Sequence, residues 1–269
     1  MPRFKLTIEY AGTRYSGWQI QKNAKTIAGE IDRAVRAVTG RKDFELYGSG
    51  RTDAGVHALA QVAHLDVSTT VPPETLRRRL NDELPADINI LGAAQVPHRF
   101  HARHDALARR YLYQIARRRT AFAKAFVWWV KEPIDLVRMR EAARAFVGMR
   151  DFRAFSAGDS GDAADEVPPS TVVLVDRVDV IEDGDLVLVS VGGSHFLWKM
   201  VRRIVGVLVE VGRGGLDPAA VGTLLAGESA SPARLTAPPS GLFLEKVYYK
   251  GDPRDRPPRA VTPLLQNRA

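Results

Sequence analysis

The sequence predicts an α+β protein built from two ferredoxin-like halves, each with the element order β-α-β-β-α-β. Three observations predict this fold class: strands that alternate apolar and polar residues, helices whose apolar residues recur every three or four positions, and the same element order appearing twice along the chain. We expect each half to form a mixed or antiparallel sheet with its helices on one face. We also expect an active-site cleft between the halves.

Six elements are predicted in the first half. Residues 3–10 alternate as a strand, and Thr26 can cap the start of a helix that Gly40 ends. A helix over residues 74–84 carries leucines on one stripe and stops before Pro85. The remaining three segments have the pattern of strands and cover residues 44–47, 59–67 and 88–96.

The second half repeats this order with different residues. A strand over residues 107–115 precedes a helix that Asp135 caps, and Asp183-Gly184 is a strong signal for a hairpin. A long apolar helix is predicted over residues 196–211, followed by a short helix that opens at Asp217-Pro218. The two strands of the hairpin and the closing strand are predicted at residues 171–181, 186–191 and 242–249.

These patterns divide the chain into three parts. Residues 1–104 form the first domain, residues 105–250 the second, and residues 251–269 a tail rich in proline and arginine. Within the second domain, residues 157–170 are rich in small and polar residues and are expected to form a mobile loop.

Composition excludes several classes of protein. The 269 residues contain no cysteine, which rules out disulfides, thiolate zinc sites and a cysteine nucleophile. No apolar run is long enough to cross a bilayer, and a strand pattern that begins within three residues of Met1 leaves no room for a signal peptide. We therefore expect a soluble, cytoplasmic protein.

The charge points to nucleic acid. The net charge is +8, and 30 of the 39 basic residues are arginine, whose planar donors match phosphate and stack on bases. Arginine-rich codon usage would give the same count. The arginines also occur as doublets and triplets, which favour a surface that follows a phosphate backbone. These lie at residues 77–79, 109–110, 117–119 and 202–203.

The most informative stretch is the segment from Arg51 to Ala58, with Asp53 beside a guanidinium and glycines on both sides. An arginine next to an aspartate favours the ionised carboxylate, and glycines allow a sharp backbone bend near a ligand. Such a carboxylate suits a nucleophile. The alternative is an ordinary polar turn.

Two further groups of residues are candidates for substrate binding. Arg109, Tyr111 and Tyr113 share one face of a predicted strand, where core packing is the alternative role for the tyrosines. The helix predicted from residue 196 carries three cations on one stripe, which faces either solvent or an anion. Gly206 on this stripe would permit the close approach of an anion. The cations of that stripe are Lys199, Arg202 and Arg203.

Three histidines invite a metal-binding interpretation, which we reject. His98, His101 and His104 are three residues apart, but Arg99 and Arg103 between them oppose a cation. We therefore expect no metal at these histidines.

Several motifs in the same order make the chain similar to the tRNA pseudouridine synthase A family. The most specific is Gly50-Arg51-Thr52-Asp53-Ala54-Gly55-Val56-His57. The others are Ile8-Glu9-Tyr10, Gly17-Trp18-Gln19, Phe100-His101-Ala102-Arg103, Ala108-Arg109-Arg110-Tyr111-Leu112-Tyr113, Met200-Val201-Arg202-Arg203-Ile204-Val205-Gly206, Ala237-Pro238-Pro239 and Gly241-Leu242. Ala11 departs from the pattern, because family members commonly have aspartate after the tyrosine.

The resemblance implies an isomerase that converts uridine to pseudouridine in the anticodon stem-loop of tRNA, at positions 38, 39 and 40. It implies that Asp53 is the nucleophile, that Arg202 pairs with it and that Tyr111 stacks on the uracil. Arg51 would fill the space that the extruded nucleotide leaves in the RNA stem, and Leu242 or Leu244 would form an apolar wall against the base. Further RNA contacts are expected from His57, Arg103, Arg109, Arg110, Lys199 and Arg203.

The resemblance also implies an enzyme that needs no metal and no organic cofactor, and a homodimer in which one tRNA contacts both subunits. Two other functions remain open on the residues themselves. A non-catalytic RNA-binding module would explain the charge and the topology but not Asp53. A metal-dependent nuclease or phosphotransferase should show clustered carboxylates, whereas Asp53 stands alone in its segment.

Overall fold

A computed structural model of the protein describes residues 1–158, 170–227, 230–254 and 257–262. It is an α+β structure, as the sequence predicts, and it separates into two compact units. Unit 1 consists of Met1–Leu107 with Phe243–Arg254, and unit 2 of Ala108–Leu242 with Asp255–Ala269. The expected loop over residues 157–170 lies almost wholly outside the described residues.

Unit 1 has the predicted order of elements. These are β1 (Arg3–Tyr10), α1 (Ile27–Thr39), β2 (Phe44–Gly48), β3 (His57–Val67), α2 (Pro73–Glu83) and β4 (Ile88–Val96). The strands lie in the order β4-β1-β3-β2, and every neighbouring pair is antiparallel. This is the strand order of a ferredoxin-like sheet, so the prediction for the first half is confirmed.

Local sequence explains the ends of α1. The Thr26 side chain accepts a hydrogen bond from the Gly29 amide at 3.2 Å, which satisfies one backbone donor of the first turn. Gly40 adopts the left-handed conformation, with φ of 68°, after the last helical residue. Both residues act as the sequence predicts.

Unit 2 contains its own set of paired strands and helices. Its elements are β5 (Ala108–Ala116), β6 (Trp128–Trp129), α3 (Leu136–Ala143), β7 (Gly148–Asp151), β8 (Val172–Asp183), β9 (Leu186–Gly193), α4 (Met200–Gly212), α5 (Ala220–Leu225) and α6 (Ser231–Arg234). The order is β5-β9-β8-β7 with antiparallel neighbours, and β6 lies parallel to β5. The hairpin at Gly184 is confirmed, whereas the short strands β6 and β7 were not predicted.

The helix predicted from residue 196 begins later than expected. Lys199 has φ of 61°, a left-handed conformation that no helical residue adopts, so α4 starts at Met200. The segment from residue 196 to residue 199 is therefore a bend that leads into the helix.

The last strand, β10 (Leu242–Tyr248), lies where the closing strand is predicted, and it has in addition a pairing with β3 that was not predicted. Phe243 and Leu244 lie beside His57 and Ala58 in a parallel ladder with β3. Because β2 pairs only with residues 63–67 of β3, the first residues of that long strand remain available to another partner. Almost all of β10 accordingly belongs to unit 1.

No helix in the described ranges is long and apolar enough to cross a membrane.

Candidate active site

Asp53 lies in the loop between β2 and β3, and backbone hydrogen bonds hold this loop from both sides. The Trp18 amide donates to the Thr52 carbonyl at 3.1 Å, and the Gly55 amide donates to the Tyr15 carbonyl at 3.3 Å. Within the loop, the Val56 amide donates to the Asp53 carbonyl at 3.1 Å. The backbone on which the carboxylate is mounted is therefore fixed by the segment that follows β1.

Two glycines in that segment allow it to approach the Asp53 loop. A Cβ on Gly12 would lie 1.9 Å from the Val56 carbonyl oxygen, and one on Gly17 would lie 2.5 Å from the Thr52 carbonyl oxygen. Gly17 also has φ of 94°, which side chains rarely tolerate. Gly17 belongs to one of the sequence motifs and Gly12 to none, and the role of both becomes clear only from these contacts.

Buried side chains complete the support of the loop. The Thr52 hydroxyl lies 2.8 Å from the Tyr10 hydroxyl, in a buried hydrogen bond. Before the loop, the Ser49 hydroxyl donates to Gln61 Oε1 at 2.7 Å, and Gln61 Nε2 donates to the Gly50 carbonyl at 3.0 Å. Gln61 is fully buried. Such a network holds a loop more rigidly than an ordinary polar turn requires.

The exposed part of the loop is its tip. Arg51 and Ala54 are exposed and Asp53 is half-buried, so a ligand in solution can reach the candidate nucleophile and the arginine beside it. The arrangement fits a carboxylate that is oriented before a substrate arrives.

His57 follows the loop but has a structural role, in contrast to the predicted RNA contact. Its side chain is only 1% exposed, and its Nδ1 accepts a hydrogen bond from the Gly12 amide at 3.0 Å. Its ring stacks on Phe243, with 4.8 Å between the ring centroids. A buried ring with these partners supports the loop and does not reach a ligand.

The two tyrosines of β5 have different environments. Tyr111 is half-buried and meets Phe196 edge to face, with 5.2 Å between the ring centroids. Tyr113 is fully buried, and its hydroxyl donates to the Pro238 carbonyl at 2.8 Å. Burial raises the pKa of Tyr113 well above its usual value. Of the two tyrosines, Tyr111 is therefore the more accessible.

The neighbouring arginines of β5 also differ. Arg109 is half-buried, and its Nη1 donates to the Ser194 carbonyl at 2.9 Å. Arg110 is buried within unit 2, which does not suit the RNA contact predicted for it. The doublet is therefore not a free surface patch.

Helix α4 does not present its cations as one stripe. Arg203 is buried, and its Nη1 donates to the Ala154 and Ser156 carbonyls at 3.2 and 2.5 Å. Burial lowers the pKa of Arg203, although arginine keeps its charge in proteins. Arg203 thus holds the backbone of a neighbouring segment, in contrast to the RNA contact predicted for it. Lys199 is not part of the helix and lies in the bend before it.

Arg202 is fixed by a reciprocal pair of hydrogen bonds. Its Nε donates to the Ala237 carbonyl at 2.7 Å, and the Ala237 amide donates to the Arg202 carbonyl at 3.0 Å. Gly206 lies close to the backbone of the same segment, because a Cβ there would lie 1.6 Å from the Leu235 carbonyl oxygen. Gly206 therefore admits protein backbone, not the anion that sequence analysis considered.

The remaining candidate residues are of two kinds. Leu242 and Leu244 are buried, and Leu244 belongs to the parallel ladder with β3. Arg103 is exposed in a turn in which its amide donates to His101 Nδ1 at 3.2 Å. The first two fit an apolar wall, and the third fits a surface contact.

The histidines near residue 100 form an aromatic cluster. His101 packs against His64 and His104, with 4.7 and 4.2 Å between ring centroids, and Tyr47 stacks on His64. Burial, with Arg3 nearby, lowers the pKa of His64 to about 4. In the part of the chain that the structure describes, no group of histidine and acidic side chains could hold a metal ion.

The fold and the site together define an α+β protein that presents one carboxylate on a rigid loop. A family model described as tRNA pseudouridine synthase matches residues 6–105 and 142–250. A protein of Rhodopseudomonas palustris (strain BisA53) named tRNA pseudouridine synthase A is 43% identical over 253 residues, which cover 93% of this chain and 100% of that protein. One of the same name from Syntrophotalea carbinolica is 44% identical over 247 residues, with 91% and 95% covered.

A third relative, tRNA pseudouridine synthase A of Agrobacterium fabrum, is 39% identical over 269 residues and covers 97% of this chain and 98% of its own. The chain belongs to the tRNA pseudouridine synthase family. A solved structure of a Cbf5-Nop10-Gar1 complex is 12% identical, covers 77% of this chain and 45% of its own, and has a TM-score of 0.31, which is too low to carry an argument.

Proposed function

We propose that this protein isomerises uridine to pseudouridine in the anticodon stem-loop of tRNA, at positions 38, 39 and 40, with Asp53 as the nucleophile. The observation that carries the proposal is the Asp53 loop, in which the family's most specific motif is fixed by the segment after β1 while the carboxylate remains accessible. Membership of the family supports tRNA as the substrate.

The reaction is an isomerisation in which no atom is gained or lost overall. The bond between the ribose C1′ and the uracil N1 breaks, the uracil turns while bound, and a bond forms between C1′ and C5. The proton on C5 leaves and N1 gains one. Asp53 begins ionised, whether it attacks the sugar, attacks the base or assists a glycal route.

The other residues prepare the nucleotide for this step. Arg51, exposed beside Asp53, fills the space that the extruded nucleotide leaves in the RNA stem. Tyr111 stacks on the uracil, a role that suits its half-buried ring. To take the C5 proton as well, its hydroxyl must first lose its own proton, which requires nearby cations. Leu242 and Leu244 supply an apolar wall.

Arg202 pairs with the Asp53 carboxylate in this proposal. Its Nε bond to Ala237 orients the guanidinium before a substrate arrives, which lowers the cost of organising the site during the reaction. Arg109, Arg103 and Lys199 contribute contacts to the RNA. The tasks of Arg110, Arg203 and His57 are structural, because these side chains are buried.

The chemistry is tested by Asp53→Asn. This change should abolish isomerisation and keep the affinity for tRNA within about tenfold, because it removes one reacting group and little of the binding surface. Tritium release from tRNA labelled at C5 of uridine measures turnover, and filter binding measures affinity. Asp43→Asn is the matched control, since Asp43 is an exposed aspartate of the same unit just before β2.

Residual turnover in Asp53→Asn would contradict the assigned nucleophile. If the wild-type protein binds tRNA and releases no tritium, a non-catalytic RNA-binding module is the better interpretation. Activity should persist in excess chelator, and its loss there would favour a metal-dependent reaction.

Two further parts of the proposal concern location and assembly. Composition supports a protein that acts in the cytoplasm, and the resemblance supports a homodimer with one tRNA contacting both subunits. Sedimentation with and without tRNA tests the dimer, and a monomer at all concentrations would contradict it.

A further inference from the structure

Phe122 is a fully exposed aromatic residue in the loop between β5 and β6, which covers residues 117–127. Trp129, the second residue of β6, which follows this loop, is 42% exposed. Large aromatic side chains normally bury most of their surface when a protein folds, so an exposed ring in this loop and another on the strand that follows it call for an explanation.

The backbone of this loop is anchored at its start. The Arg117 amide donates to the Asp185 carbonyl at 2.9 Å. The Arg117 side chain donates to Glu182 at 2.6 Å, and Arg118 Nε donates to the Asp185 carboxylate at 2.6 Å. The loop therefore leaves β5 in a fixed direction.

The middle and the end of the loop are also anchored. Ala123, next to Phe122, is buried, and its carbonyl accepts a hydrogen bond from the Phe126 amide at 2.8 Å. The buried Gln114 side chain donates to the Phe126 carbonyl at 2.9 Å. Phe122 is thus displayed from an ordered turn, which lowers the entropy cost of using it as a contact.

The exposed charged residues on either side of Phe122 in the loop are cations. Arg119 and Lys124 are both exposed, and the Arg119 guanidinium lies 5.9 Å from the centroid of the Trp129 ring, a cation–π distance. A docking site for another protein would offer a contiguous apolar patch. Exposed rings among cations are instead the features of a surface that stacks on bases and follows phosphates.

We propose that Phe122, with Arg119 and Trp129, forms a stacking platform for an unpaired nucleotide of the substrate RNA. This inference rests on the proposed function for the identity of the RNA. The loop begins at residue 117, six positions after Tyr111 on the same chain, which corresponds to about 20 Å of extended strand. The platform therefore binds a nucleotide other than the target uridine.

Phe122→Ala should weaken the affinity for tRNA about tenfold, since a stacked base contributes that much or more. Affinity is measured at one salt concentration with Asp53→Asn in both proteins, so that the RNA is not turned over. In the background with Asp53 intact, KM should rise by a similar factor while kcat stays unchanged, because the platform does not touch the reacting base. Phe122→Trp should retain affinity.

Two comparisons make the test specific. Val137→Ala removes another exposed apolar side chain of unit 2, on α3, and should leave both affinity and KM unchanged. Phe122→Leu keeps apolar surface without a ring and should behave like Phe122→Ala, so wild-type affinity in that variant would overturn stacking.

The remaining outcomes separate this inference from the proposed function. Unchanged affinity in Phe122→Ala, with a change of oligomeric state on sedimentation, would overturn the platform in favour of a protein contact. If the wild-type protein isomerises uridine and Phe122→Ala binds tRNA normally, only the platform fails. If the wild-type protein makes no pseudouridine but loses RNA affinity with Phe122→Ala, the platform stands and the proposed chemistry fails.

Discussion

At the scale of single residues, alternation along β5 correctly predicted a strand that carries Tyr111 and Tyr113. It could not tell which tyrosine is accessible, because that difference comes from the Pro238 carbonyl, 125 positions away in the chain. Periodicity reports which face of a strand a side chain occupies, whereas burial of its hydroxyl depends on distant backbone.

The same limit applies to charge. His57, Arg110 and Arg203 belong to motifs whose residue types suit RNA binding, yet all three side chains are buried. Arg203 Nη1 donates hydrogen bonds to two carbonyl groups of its own unit. Sequence shows that a cation is present, but its partner is set by tertiary packing.

The two tyrosines can be separated by matched substitutions. Tyr113→Phe removes the hydrogen bond to Pro238 and should lower the free energy of unfolding by about 1 kcal/mol, with little effect on kcat. Tyr111→Phe should lower kcat at least about a hundredfold if its hydroxyl takes the C5 proton, and should leave stability unchanged. Urea unfolding and tritium release measure the two effects. Equal losses of kcat in both variants would contradict the assignment.

At the scale of elements, the sequence predicted the helices and strands that have strong periodicity or clear caps. The ends of α1 and the turn of the β8–β9 hairpin are examples. It missed β6 and β7, which have two and four residues, because a pattern that short has no measurable period. It also began α4 too early, since nothing in residues 196–199 reveals the left-handed conformation of Lys199.

The pairing of β10 shows a second limit at this scale. Its apolar pattern was recognised, but its additional pairing with β3 uses residues of β3 that β2 leaves unpaired, and such an edge is a property of the assembled sheet. The segment after β1 likewise supports the Asp53 loop through Gly12 and Gly17. Glycine in a loop is common, so its role became clear only from the atoms that face it.

Gly17→Ala tests whether this support matters. Its φ of 94° and the Thr52 carbonyl 2.5 Å from the added Cβ should together lower the free energy of unfolding by at least about 1–2 kcal/mol and displace the loop, so kcat should fall more than the affinity for tRNA. Gly92→Ala is the control, because no atom lies within 4 Å of the added Cβ on β4. Full activity in a destabilised Gly17→Ala protein would show that the loop does not depend on this contact.

At the scale of the whole molecule, the net charge of +8 fits an RNA substrate, but the arginine clusters overstate the surface that is free to bind it. Arg77 pairs with Glu74, Arg117 with Glu182 and Arg118 with Asp185, each at 2.6 Å. The two arginine triplets lie at residues 77–79 and 117–119, so half of their six arginines already have an acidic neighbour. The excess charge, not the number of clusters, sets the attraction to phosphate.

This distinction can be measured through salt. If about six phosphates are neutralised, affinity for tRNA should fall about a thousandfold between about 50 and about 200 mM salt, because binding releases the counterions of those phosphates. Arg36→Ala should leave the slope of log Kd against log salt unchanged, since Arg36 is held by Asp32 on α1 at 2.6 Å. Arg119→Ala should lower this slope by about one, because the exposed Arg119 guanidinium lies beside the Trp129 ring and can reach a phosphate. A flat response of the wild-type protein would contradict a surface that follows the phosphate backbone, and an equal change in both variants would show that paired and exposed arginines contribute alike.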